Sequence, residues 1–213
     1  MGASLTAVRI TDDVYWVGAI DRDLRDFHGY ATERGTTYNA YLVLADKVTL
    51  IDTVREPFFE EMLARIASVI DPARIDYIVS NHSELDHTGC LPQTIELVRP
   101  EKVFASSHGV KTLQAHFHRD LGVTAVEEGE TVSLGNRTLT FIETRMLHWP
   151  DSMFCYMVEE ELLFSQDGFG MHLASDERFA DEIEPAILRS EAAKYYANIL
   201  LPFSPMVKIG GKM

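Results

Sequence analysis

The chain has 213 residues, 46% apolar and 24% charged, which supplies a substantial core without any disulfide staple. Its formal net charge of −14 repels phosphate backbones and anionic lipid, and so excludes nucleic acid and membrane surfaces as natural partners. Cys90 and Cys155 form no CxxC pair, no signal-like segment opens the chain, and no apolar run reaches the ~18 residues of a membrane span. One domain over residues 1–213, soluble and cytoplasmic with inert buried thiols, is therefore expected.

Residues 14–17 (VYWV), 40–44 and 48–52 read as strands, the last two joined around Ala45-Asp46-Lys47. Residues 22–37 are polar and contain Gly29, and read as a long loop whose length suggests function or contact. Pro57 opens a helix to Ile70, with Phe58, Met62, Ile66 and Val69 at helical spacing, and Asp71-Pro72 stops it. Residues 75–80 (IDYIVS) form a strand apolar enough to be buried on both faces. A helix over 89–98, a strand over 102–105 and a helix over 110–118 follow. Strands over 137–142, 153–158 and 162–164, a helix over 185–199 and a Gly-rich tail over 208–213 complete the chain. Strands at both ends with helices between suit two packed sheets with helices outside, an α/β fold.

The chemistry concentrates after the buried strand, in Asn81-His82-Ser83-Glu84-Leu85-Asp86-His87-Thr88-Gly89. Four potential metal ligands fall within six residues on a loop leaving a strand end, where sites are commonly built. Imidazole and carboxylate together suit iron, zinc or manganese. In an extended stretch His82, Glu84 and Asp86 share one side, and the adjacent His87 arrives from another angle, which suits two metal ions better than one. His148 in LHWPDS and Asp167 in SQDG each follow a strand. Alone, the first reads as an ordinary histidine and the second as a turn residue before Gly168. With the His82 cluster they make a pattern.

That pattern, HxExDH followed by a distant His and a distant Asp, resembles the metallo-β-lactamase superfamily. Zinc hydrolases of the superfamily carry His at the third position, whereas the flavodiiron proteins carry Glu, as Glu84 does here. The stretches VGAID from Val17, RDFHGY from Arg25, GTTYNAYL from Gly35, TRMLHWPDSM from Thr144 and YYANI from Tyr195 are similar too. The resemblance runs from about Ala7 to Pro205. It implies a metallo-β-lactamase-like αββα sandwich carrying two irons that reduce O2 to water or NO to nitrous oxide. His82, Glu84 and His148 would hold the iron nearer the flavin, Asp86 the second iron, and Asp167 both. His87 matches a position that binds metal in only some members. The electron path would run from a rubredoxin-like donor through FMN in a head-to-tail homodimer.

Two parts of that pattern have no counterpart in these residues. The family places a further histidine ligand after the final helix, but all eight histidines lie at or before His172. No FMN-binding loop occurs either, so FMN would come from a flavodoxin-like domain or another chain. The fold is expected to lack its last elements, leaving an exposed sheet edge and an apolar patch. Two other readings are a zinc hydrolase of the same fold, which Glu84 opposes, and a non-catalytic O2- or metal-binding or inactive subunit. Among the remaining residues, Trp149 is expected either to line the pocket or simply to pack. His28 is a weaker pocket candidate, His172 reads as a loop residue rather than a recruited ligand, and His116 and His118 read as solvated. Tyr195 and Tyr196 read as packing residues.

Overall fold

A computed structural model describes residues 5–210. The first strands are β1 (Val8–Arg9), β2 (Val14–Trp16), β3 (Ala19–Asp21), β4 (Asp26–Phe27), β5 (Tyr30–Ala31) and β6 (Thr36–Tyr38). They are followed by β7 (Tyr41–Val43), β8 (Thr49–Ile51), β9 (Tyr77–Ser80), β10 (Lys102–Ser106) and β11 (Val123–Val126). The last are β12 (Thr131–Ser133), β13 (Thr138–Glu143), β14 (Met153–Met157) and β15 (Leu162–Phe164). The helices are α1 (Phe59–Ala67), α2 (Leu85–Thr88), α3 (Leu91–Val98), α4 (Ser107–Phe117), α5 (Pro185–Tyr195) and α6 (Ser204–Gly210).

Among the described residues a seven-stranded sheet runs β1-β2-β7-β8-β9-β10-β11 and a four-stranded sheet runs β12-β13-β14-β15. The larger sheet is antiparallel from β1 to β8 and parallel from β8 to β11. Alternation along its strands sends Leu42, Leu50, Ile78, Val103 and Ala105 toward α1, α3 and α4, where they meet Met62, Ile66, Leu91 and Leu113. The intervening residues Val43, Ile51, Val79 and Phe104 face the second sheet and pack on Leu139, Phe141, Met153 and Cys155. On the far side of that sheet, Phe154 packs with Tyr195, Ile199 and Leu200 of α5 and its continuation. Three apolar layers thus separate helix, sheet, sheet and helix, the αββα order that the resemblance implied.

Local chemistry sets most boundaries. Pro57 sits within a 3-10 turn (Glu56–Phe58) before α1, so the helix starts later than Pro57 and ends at Ala67 rather than Ile70. Glu60 and Glu61 in its first turn and Arg65 in its last complement the helix dipole. Asp71 caps a second 3-10 turn (Pro72–Arg74) by accepting from Ala73 N, which delays β9 to Tyr77. The expected 22–37 loop instead folds into the β4–β5 hairpin and the β3–β6 pair, each too short to show a period. β11 was not anticipated: only Val126 of its four residues is buried, so no apolar run marks it. α5 ends at Tyr195, and the chain continues as a π-helical turn (Tyr196–Leu200). In place of a Gly-rich tail, residues 208–210 end α6, and 211–213 lie outside the described residues. β15 is an edge strand, with Leu163 exposed on it.

Candidate metal centre

Ligand-type side chains reach one end of the sandwich from several elements. β9 ends at Ser80, and the next residues bring in His82 and Glu84. The one-turn helix α2 carries Asp86 and His87, so Asp86 is presented from a helix and not from the extended stretch that alternation suggested, while His87 arrives from another angle as expected. The β13–β14 connection carries His148, and a 3-10 turn after β15 (Gln166–Phe169) carries Asp167. A backbone bond from Met153 N to Asn81 O (3.0 Å) stitches the first and third of these segments together. Thr53 N and Oγ1 both donate to His87 O, at 2.9 and 2.8 Å, which pins α2 to the end of β8.

One ligand atom from each of His82, Glu84, His148 and Asp167 lies within 4.8 Å of all the others, a set that could hold a metal ion. His148 Nε2 stands 3.2 Å from Asp167 Oδ2 and 3.4 Å from Glu84 Oε2. His82 Nε2 stands 3.3 Å from Glu84 Oε2 and 3.6 Å from Asp167 Oδ2. The other oxygen, Asp167 Oδ1, faces His87 Nε2 at 3.2 Å, and Asp86 Oδ2 lies 3.7 Å from that same nitrogen. Asp86 Oδ1 is buried with no hydrogen-bond partner among the described residues. An orphaned buried carboxylate oxygen beside an imidazole fits a cation far better than it fits a dry core.

Electrostatics bind the cluster together even without metal. Burial opposes charge on Glu84, yet bonds from His148, His28 and His82 hold its carboxyl far below the usual range. Burial likewise opposes charge on Asp167, but His87 and His148 keep it well below its ordinary value. Burial works against protonation of His82, but Asp151 and Glu84 push its ring up to about 9. His87 and His148 rise for the same reason, through Asp167 above all. Asp86 has no such donor and is pushed upward by burial.

Sequence reasoning assigned no role to several supporting residues. Asp151 Oδ2 accepts from His82 Nδ1 (3.1 Å) and Ser83 N (2.6 Å), so a carboxylate fixes the ring from behind. Its only signal in the sequence is an acid three residues after His148. Asp52, buried at the end of β8, accepts from Asn81 N (2.7 Å) and Nδ2 (3.2 Å) and so anchors the start of the ligand loop. His28, in the turn of the β4–β5 hairpin, does reach the pocket: its Nε2 donates to Glu84 Oε1 at 2.5 Å. His116 is half-buried rather than solvated, with Nδ1 3.1 Å from Ser83 O, while His118 is exposed as expected. Trp149 lines the site, edge-on to His82 at 5.2 Å between ring centroids. His172 is not in the four-residue set, but with Asp86, His87, Asp167 and Tyr195 it lines one cavity of about 310 Å³. Tyr195 packs as expected, yet its hydroxyl is raised by burial and by the neighbouring Asp167 carboxylate.

Comparison with known proteins places this geometry in context. A family model described as ODP family beta lactamase matches residues 36–199. A nitric oxide reductase of Moorella thermoacetica is 51% identical over 203 residues, covering 94% of this chain and 51% of that protein. A rubredoxin-oxygen oxidoreductase of Megalodesulfovibrio gigas is 53% identical, covering 94% of this chain and 50% of that protein. The crystal structure of the flavodiiron protein from Giardia intestinalis superposes with a TM-score of 0.94 at 35% identity, over 100% of this chain and 52% of that one. The chain thus spans about half the length of the relatives it matches. The matched span contains every residue of the four-residue set and both ligand-type residues of α2, Asp86 and His87, and the chain belongs to the ODP family of β-lactamase-like domains, the family of the flavodiiron oxidoreductases.

Proposed function

We propose that this chain, as a single domain, is the metal-binding catalytic half of a flavodiiron-type oxidoreductase that reduces O2 to water or NO to nitrous oxide. The observation that carries the reading is the division of Asp167. Its Oδ2 faces His82 and His148 while its Oδ1 faces His87, so one carboxylate lies between two donor sets. His82, Glu84 and His148 would hold one iron, Asp86 with His87 the other, and Asp167 both. The donor set fits iron: Glu84 adds an anionic oxygen that would favour the ferric state, and Asp86 Oδ1, buried without a partner among the described residues, could take a cation. A bound iron pair supplies electrons two at a time to a small gas molecule.

The chain's own residues prepare that chemistry. Asp151 holds His82 Nδ1, which fixes the ring so that Nε2 faces the cavity. His28 occupies Glu84 Oε1 and leaves Oε2 directed at the two ring nitrogens. Trp149 covers the His82 and His148 rings and helps keep water out. Electrons would arrive from FMN on a flavodoxin-like domain or chain, fed by a rubredoxin-like donor. The name of the Megalodesulfovibrio relative pairs rubredoxin with oxygen, and that of the Moorella relative specifies nitric oxide. A head-to-tail homodimer in the cytoplasm completes the reading. No helix among the described residues is long and apolar enough to cross a membrane.

Metal analysis after anaerobic loading with iron tests the proposal. Two irons per chain, with an absorption band lost in Glu84→Ala, together with NO or O2 consumption on adding a flavin reductase, is the expected result. Zinc in place of iron, or a single iron without turnover, would overturn it, and thioester hydrolysis would then become the activity to assay.

A further inference from the structure

His172 lies five residues beyond Asp167 and is 6% exposed. Its Nδ1 is 2.9 Å from the Thr36 hydroxyl, which fixes which nitrogen is left for other partners. That nitrogen, Nε2, is buried and has no hydrogen-bond partner among the described residues. The ring is flanked by Tyr195 at 5.3 Å and Tyr30 at 5.7 Å, centroid to centroid; the buried Tyr30 hydroxyl has no hydrogen-bond partner among the described residues, and the buried Tyr195 hydroxyl has only the Asp167 carboxylate beside it. Phe27, edge-on at 5.2 Å, closes the apolar side of the ring. Two orphaned polar atoms, His172 Nε2 and the Tyr30 hydroxyl, beside a third polar group whose only neighbour is a carboxylate, are costly in a packed core unless a shared polar guest satisfies them. His172 and Tyr195 line the cavity that also contains Asp86, His87 and Asp167.

We propose that His172, Tyr30 and Tyr195 form a hydrogen-bonding subsite, separate from the metal ligands, that holds one water-sized oxygen ligand beside Asp167. His172 is its positioning residue: the Thr36 bond sets the ring and leaves Nε2 to hold the guest, with the two tyrosine rings on either side. Burial, then the nearby His28, lowers the ring to about 4, so it works as a neutral imidazole with one donor and one acceptor face. The use of the subsite rests on the oxidoreductase reading above. Reduction of either gas takes up protons and forms water, and a water held between fixed donors beside Asp167 serves both.

Two measurements on the whole chain test this. The first uses metal-free protein with 15N-labelled histidine. A long-lived water should cross-relax with the His172 ring, and Tyr195→Phe, which keeps the aromatic ring but removes the hydroxyl, should abolish that signal and shift Nε2. A dry ring whose resonance ignores Tyr195→Phe and Tyr30→Phe overturns the subsite. The second uses iron-loaded protein with azide as the probe, read by absorbance. His172→Leu should weaken azide binding about tenfold at unchanged iron content, the loss of one hydrogen bond, and His172→Gln should restore part of it. Unchanged affinity in His172→Leu, or loss of iron from it, refutes the assignment, the latter because it would make His172 a ligand. Because the first measurement needs neither metal nor turnover, it decides the subsite even if the chain proves not to bind iron.

Discussion

Replacing Asp151 by alanine should weaken metal binding without touching a proposed ligand. Asp151 is 2% exposed, and a single oxygen accepts from both His82 Nδ1 and Ser83 N. Alanine leaves two buried donors unanswered. At about 1–3 kcal/mol for each buried unsatisfied group, the metal-free protein should lose about 2–6 kcal/mol of stability. The His82 ring also loses its orientation and part of its basicity, for which about 10- to 100-fold in metal affinity is the usual cost. Asp151→Asn separates these effects. Its carboxamide oxygen can accept both bonds, so only the charge goes, and about 1 kcal/mol and under tenfold in affinity are expected. Urea unfolding of metal-free protein reads the first quantity, and competition with a chelator of known affinity reads the second. If Asp151→Ala binds metal as the unaltered chain does and unfolds at the same midpoint, the carboxylate does not position His82, and the account of the site's rear wall is wrong.

Other outcomes follow from the same geometry. A Cβ on Gly89 would stand 2.6 Å from Leu85 O and 2.7 Å from Glu56 N, both backbone atoms. Gly89→Ala should therefore cost about 1–3 kcal/mol and displace α2, lowering iron from two per chain toward one. His82, raised from 6.5 to about 9, carries a proton in the metal-free protein at neutral pH. Metal must displace that proton, so loading at pH 7 should release protons to an indicator dye, and apparent affinity should climb with pH until about 9. The stability from that raised ring is complete below 6.5 and is lost as pH rises through about 9. Metal-free protein should thus weaken by about 3 kcal/mol across this window, and a flat stability profile would contradict the His82–Asp151 pairing. Cys90 and Cys155 are fully buried free thiols that burial pushes upward, so a thiol reagent should find none in native protein and both after unfolding.

Much of the fold was legible in the chain itself. The apolar runs that became β9, β10 and β14 could be read because strands buried on both faces need apolar residues at every position, and α1 could be read because one face repeats with the helical period. The ligand types of HxExDH, His148 and Asp167 were visible because metal chemistry restricts them to few residues. Short elements were not: β4, β5 and β11 have too few buried positions to leave a pattern. The role of Asp151 was hidden as well, since one acid in a loop looks like any other until a second segment brings a ring nitrogen to it. The same holds for His28 and His172, whose neighbours lie 56 and 136 residues away along the chain. Composition and spacing determined which atoms this protein can offer a metal. Which of Asp167's two oxygens faces which imidazole, and which polar atoms remain without partners, was decided only when tertiary packing drew strand ends from two sheets to one cavity, because a hydrogen bond depends on distances of a few ångströms that sequence separation does not encode.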